Sequence, residues 1–202
     1  MTLMLMVACD PSESDTAVAG VISMLEDVKL DAPGEGEERA NTGSAEGDEY
    51  DTGYLRGWIK ATVEEVFAAL SSPDVGVDRR EMDSWTATEL DAPDVDAAYL
   101  VNNVPSAAPS EDFDLEWRHE YTEVDGAVVG SRSAWEKTAG TIFVPLLEGS
   151  AEAVVSGDAV DLRVVYHLGT IDSTPEDAVR YLEDFYASVV AAAHGDDLPL
   201  YE

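Results

Sequence analysis

Along residues 113–122 the chain alternates between apolar or aromatic residues and polar ones, with a single histidine on the apolar phase. Successive side chains of a strand point to opposite faces. Phe113, Leu115, Trp117, His119 and Tyr121 therefore share one face, and Asp114, Glu116, Arg118, Glu120 and Thr122 share the other. A slip of one residue would bury the charges, so the aromatic face points inward. His119 becomes a titratable group among apolar neighbours, suited to orienting a ligand carbonyl or to acting as a general acid or base. The plainer alternative is a core histidine bonded to a hydroxyl on the next strand. No second acid or base is specified beside it, so the catalytic role lacks a partner.

The following strand candidate, 127–137, offers Val129, Ser131, Ser133 and Trp135 to the same interior. That pairing needs an odd number of loop residues. A three-residue loop, Val124-Asp125-Gly126 with Gly126 left-handed, supplies it, whereas a two-residue Asp125-Gly126 turn would set Arg132 beside His119. The three-residue loop is the expectation. In the last strand candidate Leu162, Val164, Tyr166 and Leu168 point in, which sends His167 outward.

Other groupings are weaker. Asp91, Asp94 and Asp96 cluster in one loop, but the spacing lacks the glycine and terminal glutamate of an EF-hand, so a solvated loop is the reading. His119, His167 and His194 are too scattered for a metal site. Gly34-Glu35-Gly36 follows no strand and opens no helix, so it cradles no phosphate. Nothing specifies a nucleophile elbow. No metal or cofactor is called for.

Composition limits the partners. The 202 residues carry 43 Asp and Glu against 11 Lys and Arg, a formal net charge of -32. Such a surface repels phosphate backbones and anionic head groups, which argues against nucleic acid and direct lipid-surface binding. It also suits a carboxylate-rich surface kept hydrated in salty surroundings, and the Arg-over-Lys, Ala- and Val-rich usage resembles that of a high-GC bacterium. One cysteine excludes an internal disulfide and a cysteine-based zinc site.

That cysteine closes an apolar start. Met6-Val7-Ala8-Cys9 resembles the lipobox of bacterial lipoproteins, in which the cysteine is lipidated and becomes the new N-terminus. Met6 stands where leucine is usual, and the basic and most of the hydrophobic signal region are absent; a start codon upstream would supply them. Residues 1–9 are thus a lipobox-like leader, and the implied location is the cell envelope, with a cytoplasmic protein as the alternative. Any membrane contact would run through Cys9 alone. Residues 10–53 are rich in Gly, Ser, Asp and Glu and poor in aromatics, as expected of a disordered tether. Within it Val18, Val21, Ile22, Leu25 and Val28 recur at helical spacing, predicting a short, transient helix over 17–29.

From residue 54 the pattern is that of a folded domain. Residues 54–60 alternate as a strand, and Thr62-Val63-Glu64-Glu65 forms a capping box for a helix that ends at Ser71-Ser72-Pro73. Strand candidates follow at 85–90, 98–104, 113–124, 127–137, 142–147, 151–156 and 160–170, with turn residues between them. Thr174-Pro175-Glu176-Asp177 opens a long helix with Val179, Leu182, Tyr186, Val189 and Ala193 as its stripe, stopped by Gly195. Consecutive antiparallel strands need a cover on one face, and only this last helix is long enough. The fold class is α+β, a curved antiparallel sheet wrapped around a long C-terminal helix.

Ile59-Lys60-Ala61-Thr62-Val63-Glu64-Glu65-Val66-Phe67-Ala68-Ala69-Leu70 resembles the opening of START-like (SRPBCC, helix-grip) proteins, where a first strand runs into such a helix. Element order extends the resemblance over 54–198, leaving 199–202 as a tail. The family usually carries a second short helix, for which 72–83 is the available place. The resemblance implies a hydrophobic cavity between sheet and helix that takes lipids, sterols or polyketides. Its lining would be Phe113, Leu115, Trp117, His119, Tyr121, Ser131, Ser133, Trp135 and Tyr166, faced by Leu182 and Tyr186. Three functions follow: a binder of an apolar small molecule, a cyclase- or hydrolase-type enzyme using His119, or an interaction domain whose cavity has closed into core.

Overall fold

The computed structural model describes residues 22–34, 37–170 and 173–201. Cys9 and the lipobox-like leader lie outside the described residues, as do Val18 and Val21 of the predicted 17–29 helix. Eight strands form one antiparallel sheet: β1 (Ala40–Ala45), β2 (Asp51–Ile59), β3 (Met82–Glu89), β4 (Ala97–Pro105), β5 (Phe113–Val124), β6 (Ala127–Gly140), β7 (Leu146–Ser156) and β8 (Ala159–Gly169). Their spatial order is β1-β2-β8-β7-β6-β5-β4-β3, so β2 joins the meander by pairing with its last strand. Helices α1 (Val63–Leu70), α2 (Pro73–Gly76) and α3 (Pro175–His194) cover the inner face. This is the α+β helix-grip arrangement, with the short second helix in the place expected for it.

Local chemistry explains the ends. Thr62 and Glu65 cap α1 reciprocally, Thr174 and Asp177 do the same for α3, and Gly195 closes α3 in the left-handed conformation at φ 73°. The buried stripe of α3 is Ala178, Tyr181, Leu182, Phe185, Ser188, Val189 and Ala193. It is rotated from the predicted one, so Tyr181 and Phe185 enter the core while Tyr186 sits at its edge and donates to the Trp58 carbonyl at 2.6 Å.

The β5–β6 turn corrects one expectation and keeps its consequence. Asp125 and Gly126 both have positive φ, 53° and 78°, and Val124 pairs with Ala127, giving the two-residue turn. A bulge then skips Val129, because Thr122 pairs with Gly130 and Glu123 with Val128. The extra residue restores the parity the turn would have broken, so His119 pairs with Ser133 and Tyr121 with Ser131. The separate strands expected at 142–147 and 151–156 are one strand, β7, and Ile142 stands 80 % exposed in the turn before it.

The tether expected over 10–53 does not hold for its described part. Ala40–Ala45 is an edge strand on β2, built of small and polar residues that carry little strand signal. Residues 22–33 form no helix and cross the outer face of the sheet. The Ile22 amide donates to Glu120 at 3.0 Å, the Leu25 amide to Ser150 at 2.9 Å, and Trp58 Nε1 to the Pro33 carbonyl at 2.8 Å. Beneath them Arg132, Glu152, Arg163, Asp161 and Arg56 alternate in sign across four strands. A helix would satisfy its own backbone; here the sheet's outward polar groups satisfy it instead, and Ile22 is buried. His167, predicted outward, is on this face, stacked on Tyr50 and 2.8 Å from Glu148. The tail also docks, since the Tyr201 hydroxyl donates to the Asp184 carbonyl at 2.8 Å.

Candidate functional site

The inner face divides into two halves. Toward the β5–β6 turn its centre is packed with rings, and beyond them a wide-mouthed, more polar pocket of about 510 Å³ lies between residues 60–65 and the ends of β6, β7 and β8. Trp117 and Trp135 stack with centroids 4.5 Å apart, His119 lies 6.0 Å from Trp117 and 5.3 Å from Tyr99, and Tyr121 stacks on Phe67 at 3.9 Å. Two glycines make room for the tryptophans. A Cβ on Gly149 would sit 2.0 Å from the Trp135 ring, and one on Gly76 2.6 Å from the Trp117 ring. Phe185 closes the layer from α3, 5.9 Å from Trp135.

His119 is fully buried, with Nδ1 2.8 Å from the Ser133 hydroxyl. Burial holds its pKa down to about 3, because the charged ring would lose its water. It is the core histidine bonded across to a neighbouring strand. Ser131 and Ser133 are buried beside it.

At the opposite end of the strands the groove is hollow. A cavity of about 450 Å³ lies between α2, the first turns of α3 and the ends of β4, β5, β7 and β8, within the roughly 300–1,000 Å³ of small-molecule sites. Its walls are Val77, Met82, Phe113, Leu115, Val144, Leu147, Tyr166, Leu168 and Tyr181, and its rim carries Glu81, Asp177 and Arg180. Tyr166 stacks on Tyr181 at 4.5 Å, and the Tyr181 hydroxyl donates to the Gly76 carbonyl at 2.9 Å, pinning α2 to α3. Burial pushes the Tyr166 and Tyr181 phenols far above their ordinary range, so both stay protonated. Asp78 lines the cavity too, its carboxyl held above the usual range by burial. Arg180 is engaged by Glu81 at 3.0 Å and Asp177 at 3.5 Å.

Of the residues expected to line a cavity, Phe113, Leu115 and Tyr166 do so. Trp117, His119, Tyr121, Ser131, Ser133 and Trp135 belong to the packed half, Leu182 is buried in the core and Tyr186 lies at the β2 edge. Asn103, Asp78 and Tyr181 were missed. Tyr181 was legible as the i+3 partner of Ala178; Asn103 stands on the apolar phase of β4 between Val101 and Pro105, a polar residue where the pattern calls for an apolar one. The Asp91–Asp96 loop is tied to β5, with Asp96 accepting from the Tyr121 amide at 2.7 Å and Asp94 3.6 Å from Arg118. Among the described residues no His, Cys, Asp and Glu group is placed to hold a metal.

Solved structures share this architecture. Human StAR-related lipid transfer protein 5 superposes with a TM-score of 0.55 at 14 % identity, over 81 % of this chain and 85 % of that one. The human StarD13 (DLC2) lipid transfer and protein localization domain gives 0.54 at 11 % identity, over 81 % and 86 %. No protein-family model matches the sequence, and neither does any curated protein. The sheet order, the capping α3 and these superpositions define the chain as having the START-like, helix-grip fold.

Proposed function

We propose that the protein binds an apolar small molecule in the cavity between α2, α3 and the ends of β4, β5, β7 and β8. The observation that carries this is the cavity of about 450 Å³ at one end of the groove, walled mostly by aliphatic and aromatic side chains, whereas the pocket at the other end is wider-mouthed and more polar. An apolar ligand gains roughly 25 cal/mol per Å² of apolar surface buried, so a modest tail supplies useful affinity. The fold is shared with two domains whose names describe lipid transfer, which favours a lipid-like occupant. His119 lies outside the cavity wall and has no access to a ligand there, so a cyclase or hydrolase reaction would lack the acid or base that the sequence offered.

Nile red, a neutral apolar dye, should bind the folded protein with a blue-shifted emission. Val144→Trp, which places bulk on the cavity wall, should block it without unfolding the domain. A folded protein that ignores the dye, or binds it equally with Trp at 144, would defeat the proposal. The lipobox-like Met6-Val7-Ala8-Cys9 supports a second part of the reading, a lipid on Cys9 that holds the domain at the cell envelope. Palmitate labelling of an upstream-extended chain, lost in Cys9→Ser, is its test.

A further inference from the structure

Among the described residues, two nearly buried oxygens on the cavity lining have no protein partner, and the only other such atom there is the sealed Arg180 Nε. Asn103 is 1 % exposed and Tyr166 4 % exposed, and both line the cavity. The Asn103 Nδ2 donates to the Val101 carbonyl at 3.1 Å. That carbonyl can only accept, so the amide's orientation is set, and Oδ1, together with the second Nδ2 proton, is left over. Among the described residues neither Asn103 Oδ1 nor the Tyr166 hydroxyl has a hydrogen-bond partner. Neither is a sealed orphan of the packed core, as the Tyr99 hydroxyl and His119 Nε2 are. A buried amide oxygen and phenol on an apolar wall are costly to leave unpaired.

The two groups ask for different things. Asn103 Oδ1 accepts and needs a donor. The Tyr166 phenol offers a proton and needs an oxygen to receive it. A hydroxyl meets both needs. A carboxylate meets only the second, and it would face Asp78, Glu81 and Asp177, while Arg180, the one cation among the described lining residues, is held by Glu81 and Asp177 through Nη2, and its unpartnered Nε is sealed from the cavity. An ammonium can donate to both oxygens but leaves the phenol's proton without a receiver.

We infer that the cavity takes a neutral, hydroxyl-bearing apolar ligand, read by Asn103 Oδ1 and the Tyr166 hydroxyl. The inference rests on the apolar-binding reading and deepens it by naming the ligand class.

The test is displacement of Nile red by four probes sharing one tail: 1-decanol, its methyl ether, decanoate and decylamine. Decanol should compete at roughly tenfold lower concentration than the ether, which cannot donate, the margin set by one hydrogen bond in a dry site. Decanoate and decylamine should compete more weakly than decanol, at both low salt and 1 M salt, where the protein's overall charge is screened to about 3 Å. Asn103→Leu should erase the advantage of decanol over its ether, and Tyr166→Phe, which keeps the ring, should weaken decanol while Nile red still binds. Equal competition by decanol and its ether, or stronger competition by either charged probe in 1 M salt, overturns the hydroxyl inference and leaves the apolar cavity standing. Failure of Nile red itself to bind overturns the reading beneath it.

Discussion

Toward the β5–β6 turn the inner face carries Trp117, Trp135, His119 and Tyr121; at the other end of the strands it carries Phe113, Leu115, Tyr166 and Leu168. The same sheet lies behind both and the same helix lies in front. The difference lies in what stands opposite each large ring. Opposite the tryptophans the neighbours are glycine, alanine and serine, at Gly76, Gly149, Ala151 and Ser133, so indoles fit without a void. At the other end the facing residues are Val77, Leu147 and Tyr181, and no tryptophan reaches between them. Polar atoms follow the same division. Among the described residues the packed half seals in the Tyr99 hydroxyl, His119 Nε2, the Ser131 hydroxyl and Trp135 Nε1 without partners, whereas in the hollow half only Arg180 Nε is sealed so, and the unpartnered Tyr166 hydroxyl and Asn103 Oδ1 are not. Aromatic content alone therefore does not mark a binding site; volume matching across the interface decides whether rings form a core or a wall.

Trimming and filling should separate the halves most sharply. Trp117→Ala, which removes a fully buried indole from its stack, should destabilise by about 3–5 kcal/mol in denaturant melts. Ser133→Trp should cost about 1–3 kcal/mol by overpacking, because no space adjoins Ser133. Val144→Trp, at the half-buried cavity wall, should change stability by less than about 0.5 kcal/mol, since it enters existing space. Similar losses at 133 and 144 would erase the distinction.

A smaller effect tests the packed half through pH. His119 binds a proton near pH 6.5 when unfolded but only near pH 3 when folded. The unfolded state thus holds more protons between those values, and stability falls as pH drops through that window. Between pH 8 and pH 5.5 the loss from this residue should be about 1.4 kcal/mol. His119→Leu should lack it, read as the difference between the two proteins' stability profiles. Parallel profiles would mean that His119 reaches water, and with it the groove.

The capping box at Thr62, the helix start at Thr174, the alternation over 113–122 and the stop at Gly195 were legible because each depends on residues within one turn or one strand. The fold class followed, since consecutive strands and one long amphipathic helix leave few ways to bury their apolar faces. What the sequence could not decide depended on partners far along the chain. The 22–33 segment reads as tether with a transient helix over its first part, and is held in another path by Glu120, Ser150 and the Trp58 indole, which present partners on the outer face. The β6 bulge at Val129 has no local mark, yet it keeps Ser133 beside His119. The cavity's position was set by how α3 rotates, bringing Tyr181 and Phe185 rather than Tyr186 inward, and by glycines on other elements that let Trp117 and Trp135 close half the groove. Periodicity assigns a residue to a face. Whether that face meets a side chain or empty space is settled by volumes on elements distant in sequence, and those meet only in the tertiary structure.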